Sequence, residues 1–299
     1  DSVHPANGGR LSSKGTALNE TLGSGDRLLR PRLQGQEVFW GEALDAVAAK
    51  LHQVVRDHGP DAVAFYVSGQ LLTEDYYVAN KLAKGFIGTA NIDTNSRLCM
   101  ASTVVAQQRA FGEDVVPGCY EDLEQANLVV LVGSNMAWCH PVLYQRLQAA
   151  RAARGTRVVV LDPRRTVTCA DVDLHLPLRP GSDAALFNGL LAYLADHGAL
   201  DAGWVARHTA GFDGALAAAR ADAGSLAALA GRCGVPERDL RQFFEWFARE
   251  PRTVTCWSQG VNQSSGGTDK VNAIINCHLA TGRIGKPGAS PLSLTGQPN

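Results

Sequence analysis

What this sequence lacks narrows it first. It has no excess of either charge: 28 lysines and arginines face 29 aspartates and glutamates. Without a global field there is no electrostatic case for nucleic acid or an anionic membrane surface as partner, so function has to reside in local sites. It also has no apolar run of the roughly 18 to 20 residues that a bilayer-crossing helix needs, and no membrane span is expected. No secretory signal pattern opens it. The chain starts at Asp1 without a methionine and stops at Gly296-Gln297-Pro298-Asn299, which gives the expectation of a piece from the middle of something longer.

Paired cysteines are missing as well. The seven cysteines are scattered singly, with no CxxC pair and no cysteine–histidine ladder, which argues against a zinc knuckle. An odd count in a large chain also argues against a secreted disulfide framework; a reducing compartment, the cytoplasm, is the expectation. What is present is a globular composition, 45% hydrophobic and 19% charged over 299 residues, enough for one large or two medium domains.

Along the chain, residues 1–36 are rich in Gly, Ser, Pro and Arg and show no sustained period, so an extended segment is expected; Lys14 within it is, taken bare, a solvated loop lysine. Apolar positions Leu44, Val47, Ala48, Leu51, Val54 and Val55 then follow helical spacing. Ala62 to Val67 has strand character and runs into Ser68-Gly69-Gln70. In parallel α/β folds such strand-end turns present ligand contacts, which puts Gln70 at a crevice; a turn glutamine facing water is the plain alternative.

Cys99 stands in Asp93-Thr94-Asn95-Ser96-Arg97-Leu98-Cys99, a polar stretch before an Ala/Val-rich helical run. A thiolate is a soft anionic donor, and a helix start favours its ionised form, so Cys99 is read as a metal ligand against the alternative of a small buried hydrophobe. Leu128 to Val132 is the next buried strand and ends in Gly133-Ser134-Asn135. Glycine lets backbone approach a phosphate, and the serine and asparagine offer donors. Arg157 to Leu161 is a third strand, ending in Asp162-Pro163-Arg164-Arg165-Thr166, where an acid can hold a ribose or purine and the arginines a phosphate. A fourth strand, Asp173 to Leu178, leads to Gly181-Ser182-Asp183, where Asp183 reads equally as helix cap and as base contact. Residues 200–250 are helical and alanine-rich, without convergent polar groups. Thr253 to Trp257 is a fifth strand, followed by the long polar loop Ser258 to Asp269 with Gln259 and Gln263, and then a helix from Val271 to Ala280.

These segments together resemble the catalytic subunits of bacterial molybdenum nitrate reductases, within the family that binds bis-molybdopterin guanine dinucleotide. The likeness covers His4 to Gly15, Ser68 to Tyr76, Asn91 to Ser102, Gly118 to Asp122, Gly133 to Leu143, Asp162 to Thr166, Gly181 to Asp183, Gln259 to Asn276 and Leu294 to Asn299. Ala137-Trp138-Cys139-His140 and Asn262 to Lys270 are similar to the assimilatory, cytoplasmic branch. The resemblance implies an α/β fold of parallel sheets flanked by helices, with Rossmann-like subdomains of the DMSO reductase/formate dehydrogenase type. It implies Cys99 as the molybdenum ligand, with Gln70 and Asn95 around the pterin and Lys14 between pterin and iron-sulfur cluster. It further implies Gly133, Ser134, Asn135, Asp162, Arg164, Arg165, Thr166, Gly181, Ser182 and Asp183 along one guanine dinucleotide arm, and Gln259 and Gln263 near the metal. The implied chemistry is two-electron removal of an oxygen atom from nitrate, served by a redox donor protein or domain. Arg97 reads equally as an anion contact and as a brace of its own loop.

One departure stands out. The family's GRLCSKG segment, whose cysteine is the last ligand of a four-iron cluster, reads Gly9-Arg10-Leu11-Ser12-Ser13-Lys14-Gly15 here, so no iron-sulfur cluster is expected. Three rivals are a formate dehydrogenase, disfavoured because Met100 rather than a histidine follows the thiolate; a non-catalytic scaffold like the large iron-sulfur subunit of respiratory complex I; and a truncated pseudo-enzyme. The expected domains are a remnant of the cluster-binding region over 1–36, a first α/β subdomain over 37–140 with 285–299, and a second over 141–284.

Overall fold

A computed structural model describes residues 2–294, so the resembling stretch 295–299 lies outside the described residues. The chain divides into two compact units, one of residues 13–98 and one of residues 1–12 with 99–299.

In the smaller unit, β1 (Arg32–Leu33) and β2 (Gln36–Glu37) form an antiparallel hairpin within and just beyond the stretch expected to be extended. The turn between them places Gln34 and Gly35 at φ 49° and 84°, the pair of positive values that suits a two-residue hairpin loop. The helical spacing from Leu44 to Val55 produces the helix Trp40–His58, stopped by Gly59 at φ 85°. β3 (Phe65–Val67) pairs in parallel with β4 (Ile92–Thr94) in the register Phe65↔Ile92. The crossover is the helix Thr73–Asn80 continued by a π-helical stretch Lys81–Ile87, which ends at Gly88 in the left-handed region.

The larger unit is organised on one parallel sheet of five strands in the order β7-β6-β5-β8-β9. These are β5 (Leu128–Val132), β6 (Arg157–Leu161), β7 (Leu174–Leu176), β8 (Thr253–Trp257) and β9 (Ser290–Ser293). β5, β6 and β8 match the strands read from sequence, and they are runs buried on both faces, as a helix-covered parallel sheet requires. β9, Ser290-Pro291-Leu292-Ser293, was not expected, because its serines and proline carry no strand signal; it is an edge strand, where proline is tolerated. The alternation along β5 assigns the two faces. Leu128, Val130 and Val132 pack with helices Asp183–Asp196, Glu237–Arg249 and Gly267–Ala280, while Val129 and Leu131 pack with Leu143 and Leu147 of Pro141–Arg154. Among the described residues no helix is long and apolar enough to cross a membrane.

A histidine is among the polar residues inside this core. His278 is fully buried, its Nε2 2.8 Å from Thr255 Oγ1 on β8 and its ring edge-on to Phe247. Burial first, and the Arg283 cation second, hold its pKa well below the ordinary 6.5, so it is neutral in the fold. The unfolded chain takes up this proton near 6.5 and the folded chain does not; stability is therefore complete above that pH and is lost as pH falls below it, at about 1.4 kcal/mol per pH unit. Urea titrations between pH 7.5 and 5 are expected to show His278→Gln with a shallower loss of stability than the parent chain, whatever its starting value.

Candidate functional site

The strand order creates a crevice. From β5 the chain steps outward to β6 and β7, then returns to the other flank of β5 as β8, and a doubly wound sheet opens beyond the carboxyl ends of its strands at such a switch point. Two glycines meet there. Gly133, at φ 53°, follows β5 and accepts at its carbonyl from Gly260 N–H at 3.0 Å. A Cβ on Gly133 would stand 2.7 Å from Gly260 Cα, so both positions require glycine for the backbones to touch.

Beside this contact lies a cavity of about 470 Å³, which brings together Gly133, Asn135, Asp162, Arg164, Gly181, Asp183, Gln259 and Gln263. Asp162 is buried at the end of β6, and its Oδ1 accepts from Arg164 N–H at 2.9 Å, a turn that holds the carboxylate at the cavity wall. The remaining residues expected on this side, Ser134, Arg165, Thr166 and Ser182, are not among those that line the cavity. Ser134 is buried with its Oγ unpartnered, Ser182 occupies the N-cap position of Asp183–Asp196 with its Oγ donating to Arg179 O at 2.7 Å, Thr166 turns the chain through Cys169 N–H, and Arg165 is exposed.

Asp183, left open between cap and ligand contact, begins the helix and pairs its Oδ2 with Lys270 Nζ at 2.8 Å, both side chains largely buried. Lys270 and Arg179 also line the cavity, and neither was singled out from sequence. Lys270 carried a signal nonetheless: it shares a helical face with Ile274 and Cys277, both fully buried, and a lysine on such a face needs a carboxylate partner.

Cys99 closes the helical turn Ser96–Cys99, and Met100 separates it from the helix Ala101–Phe111, so it precedes the helix rather than opening it. The thiol is half-buried. Gln259 Nε2 donates to Cys99 Sγ at 2.8 Å and to Cys99 O at 2.8 Å. Among the described residues no group of three His, Cys, Asp or Glu side chains could hold a metal ion.

The smaller unit orders its own strand ends. Asn95 Oδ1 accepts from Gly69 N–H at 2.5 Å, and Gln70 N–H donates to Ser68 Oγ at 3.1 Å, which joins the turns after β3 and β4. Gln70, Asn95 and Lys14 are exposed. Arg97 pairs with Asp93 at 3.3 Å, which favours the loop-bracing alternative for it.

Residues 27–296 match the model of the molybdopterin oxidoreductase family. The whole chain is 53% identical to a nitrate reductase of Shewanella frigidimarina and 54% identical to one of Klebsiella oxytoca, covering 32% and 34% of those proteins. A periplasmic nitrate reductase of Desulfovibrio desulfuricans is 38% identical over 98% of the chain and is covered to 41%. The chain thus spans about a third of the length of the first two. In fold it is similar to acetylene hydratase from Pelobacter acetylenicus, with a TM-score of 0.77 at 23% identity over 97% of this chain and 40% of that one.

The cavity lining fits a dinucleotide in kind: two carboxylates share it with two guanidinium groups and an ammonium group, glycines admit a close backbone approach, and the buried Ser134 hydroxyl is without a partner. Its ion pair gives a stability test. Lys270→Met is expected to cost about 3 kcal/mol by leaving Asp183 buried and unpaired, and the double change with Asp183→Leu to recover most of that loss in chemical denaturation.

Proposed function

The chain belongs to the molybdopterin oxidoreductase family, and from that premise we propose that it forms part of the catalytic subunit of a nitrate reductase that binds bis-molybdopterin guanine dinucleotide. The observation that carries this reading is the gathering of Gly133, Asp162, Asp183 and Gln259 around one crevice, together with a half-buried thiol on a fixed amide donor at Cys99. When bound, the cofactor supplies the two-electron oxygen-atom chemistry that no side chain can.

The residues have distinct tasks. Cys99 supplies one sulfur ligand to the metal, and Gln259 orients that sulfur. The backbone around Gly133 and Gly260 admits the pyrophosphate, with Arg164 and Asn135 as its donors. Asp162 and Asp183 accept from the donor groups of the ribose and guanine, with Ser134, Arg165, Thr166, Gly181, Ser182 and Gln263 shaping the loops around them. Gln70 and Asn95 take the pterin, and Lys14 the electron path into it. Nitrate is the substrate, a redox donor protein or domain the partner, and the assimilatory pattern over Ala137 to His140 together with unpaired thiols favours a cytoplasmic setting. Ser12 at the cluster-ligand position favours a chain without an iron-sulfur cluster. Against formate as substrate, Met100 offers no group to accept the proton that formate oxidation releases.

Assay of the cofactor-loaded enzyme distinguishes these readings. Oxidation of reduced viologen by nitrate is expected, and dye reduction by formate is not. Cys99→Ser is expected to lower the nitrate rate by at least about a hundredfold, beyond the range typical of changes outside the ligand set. Formate activity, or a folded enzyme without molybdenum, would reject the proposal in favour of the dehydrogenase or the scaffold.

A further inference from the structure

The donor that meets Cys99 is the end of a longer chain of polar groups. Trp257, fully buried at the end of β8, donates its indole Nε1–H to Thr103 Oγ1 at 2.8 Å. Thr103 Oγ1 donates to Asn262 Oδ1 at 2.5 Å. Asn262 Nδ2 faces Gln259 Oε1 at 3.4 Å, and Gln259 Nε2 faces Cys99 Sγ at 2.8 Å. Trp257, Thr103 and Asn262 have no place in the cofactor roles above.

The direction of this chain is set by groups that cannot reverse. An indole N–H only donates, and a backbone carbonyl only accepts. Trp257 leaves the Thr103 hydroxyl proton to Asn262 Oδ1. Asn262 Nδ2 is held outward by Ser258 O at 3.3 Å, and Gln259 Nε2 by Cys99 O at 2.8 Å. Both amides therefore present oxygen toward Trp257 and nitrogen toward Cys99. Burial of Thr103 and Asn262 makes a reversed amide costly, since it would leave unpaired polar atoms away from water.

We propose that Trp257, Thr103, Asn262 and Gln259 form a polarised relay that obliges the sulfur of Cys99 to accept a hydrogen bond, and that Asn262 is thereby a positioning residue for the metal-ligating thiolate. The inference rests on the reading of Cys99 as that ligand. A donor on the sulfur withdraws charge from the metal–sulfur bond and favours the reduced metal. Gln259→Leu removes the donor. Asn262→Asp acts from a distance: an acceptor-only carboxylate meets Gln259 Oε1 with no proton between them, and the repulsion displaces the Gln259 amide and its donor from the sulfur.

The test is the Mo(V) electron paramagnetic resonance signal and the molybdenum midpoint potential of the cofactor-loaded enzyme, beside its thermal melting. Gln259→Leu and Asn262→Asp are each expected to displace the signal and lower the potential, by about tenfold in the one-electron equilibrium, ~59 mV. Thr103→Ser, which keeps the hydroxyl, is expected to retain the parent signal. An unchanged signal in molybdenum-loaded Asn262→Asp overturns the relay while leaving Cys99 as ligand. Where Asn262→Asp does not fold, an unchanged signal in Gln259→Leu overturns it equally. A parent enzyme without molybdenum overturns the underlying reading of Cys99 as well.

Discussion

Contact between two bare backbones, Gly133 after β5 and Gly260 after β8, is the constraint on which the larger unit's chemistry depends. A side chain at either position would collide with the other main chain at 2.6 to 2.7 Å. The parallel register brings Val132 level with Trp257, and the next residues have to pass each other closely. Because they can, the turn Gln259–Asn262 lies directly over the strand ends. That turn carries Gln259 to Cys99 on one side, while the loop after it carries Gln263 to the cavity wall. Widening the contact by one methyl group would move both.

Much of this arrangement was legible in the residues, for identifiable reasons. β5, β6 and β8 are β-branched or apolar runs that end in glycine or polar turns, and a parallel sheet covered by helices has no other way to write its central strands. Where strands sit at an edge, the signal fades. β4, Ile92-Asp93-Thr94, and β9, Ser290-Pro291-Leu292-Ser293, are short and largely polar, and their pairing comes from neighbours far along the chain. The helix Trp40–His58 shows a different limit. Its apolar spacing predicted the helix, yet none of its residues is buried: periodicity marks a face and does not say what covers it. In the site, the strand-end residues Asp162 and Asp183 stood out by position alone. Lys270, Asn262 and Thr103 did not, because each belongs to a helical or loop pattern and meets its polar partner 87 or 159 residues away.

Packing explains four of the seven scattered cysteines. Cys169, Cys233, Cys256 and Cys277 are buried, and burial pushes the thiols of Cys233, Cys256 and Cys277 above their ordinary value, so those three stay protonated and serve as small apolar side chains. Cys119 is exposed, yet desolvation and a hydrogen bond involving Glu121 raise its thiol as well. Cys99 differs from all of these in receiving a side-chain N–H on its sulfur. Environment, rather than residue type, separates Cys99 from the buried packing thiols in a chain with seven cysteines.

Each unit orders its strand-end loops with its own hydrogen bonds. In residues 13–98 the Asn95 carboxamide locks the turn at Gly69, and Tyr76 OH donates to Ser68 O at 2.7 Å across the same turn. In the larger unit the Gly260–Gly133 bond and the Asp162–Arg164 turn do the equivalent work. Loops held this way lose little conformational freedom when a ligand arrives, so polar contacts to that ligand translate into affinity instead of offsetting the cost of ordering. The same logic explains why the donor to Cys99 comes from an amide fixed at both ends. A flexible lysine or arginine could also reach the sulfur, but its charge and its rotamer freedom would leave the thiol's environment variable, whereas a half-buried carboxamide bonded at both ends gives one direction and one distance.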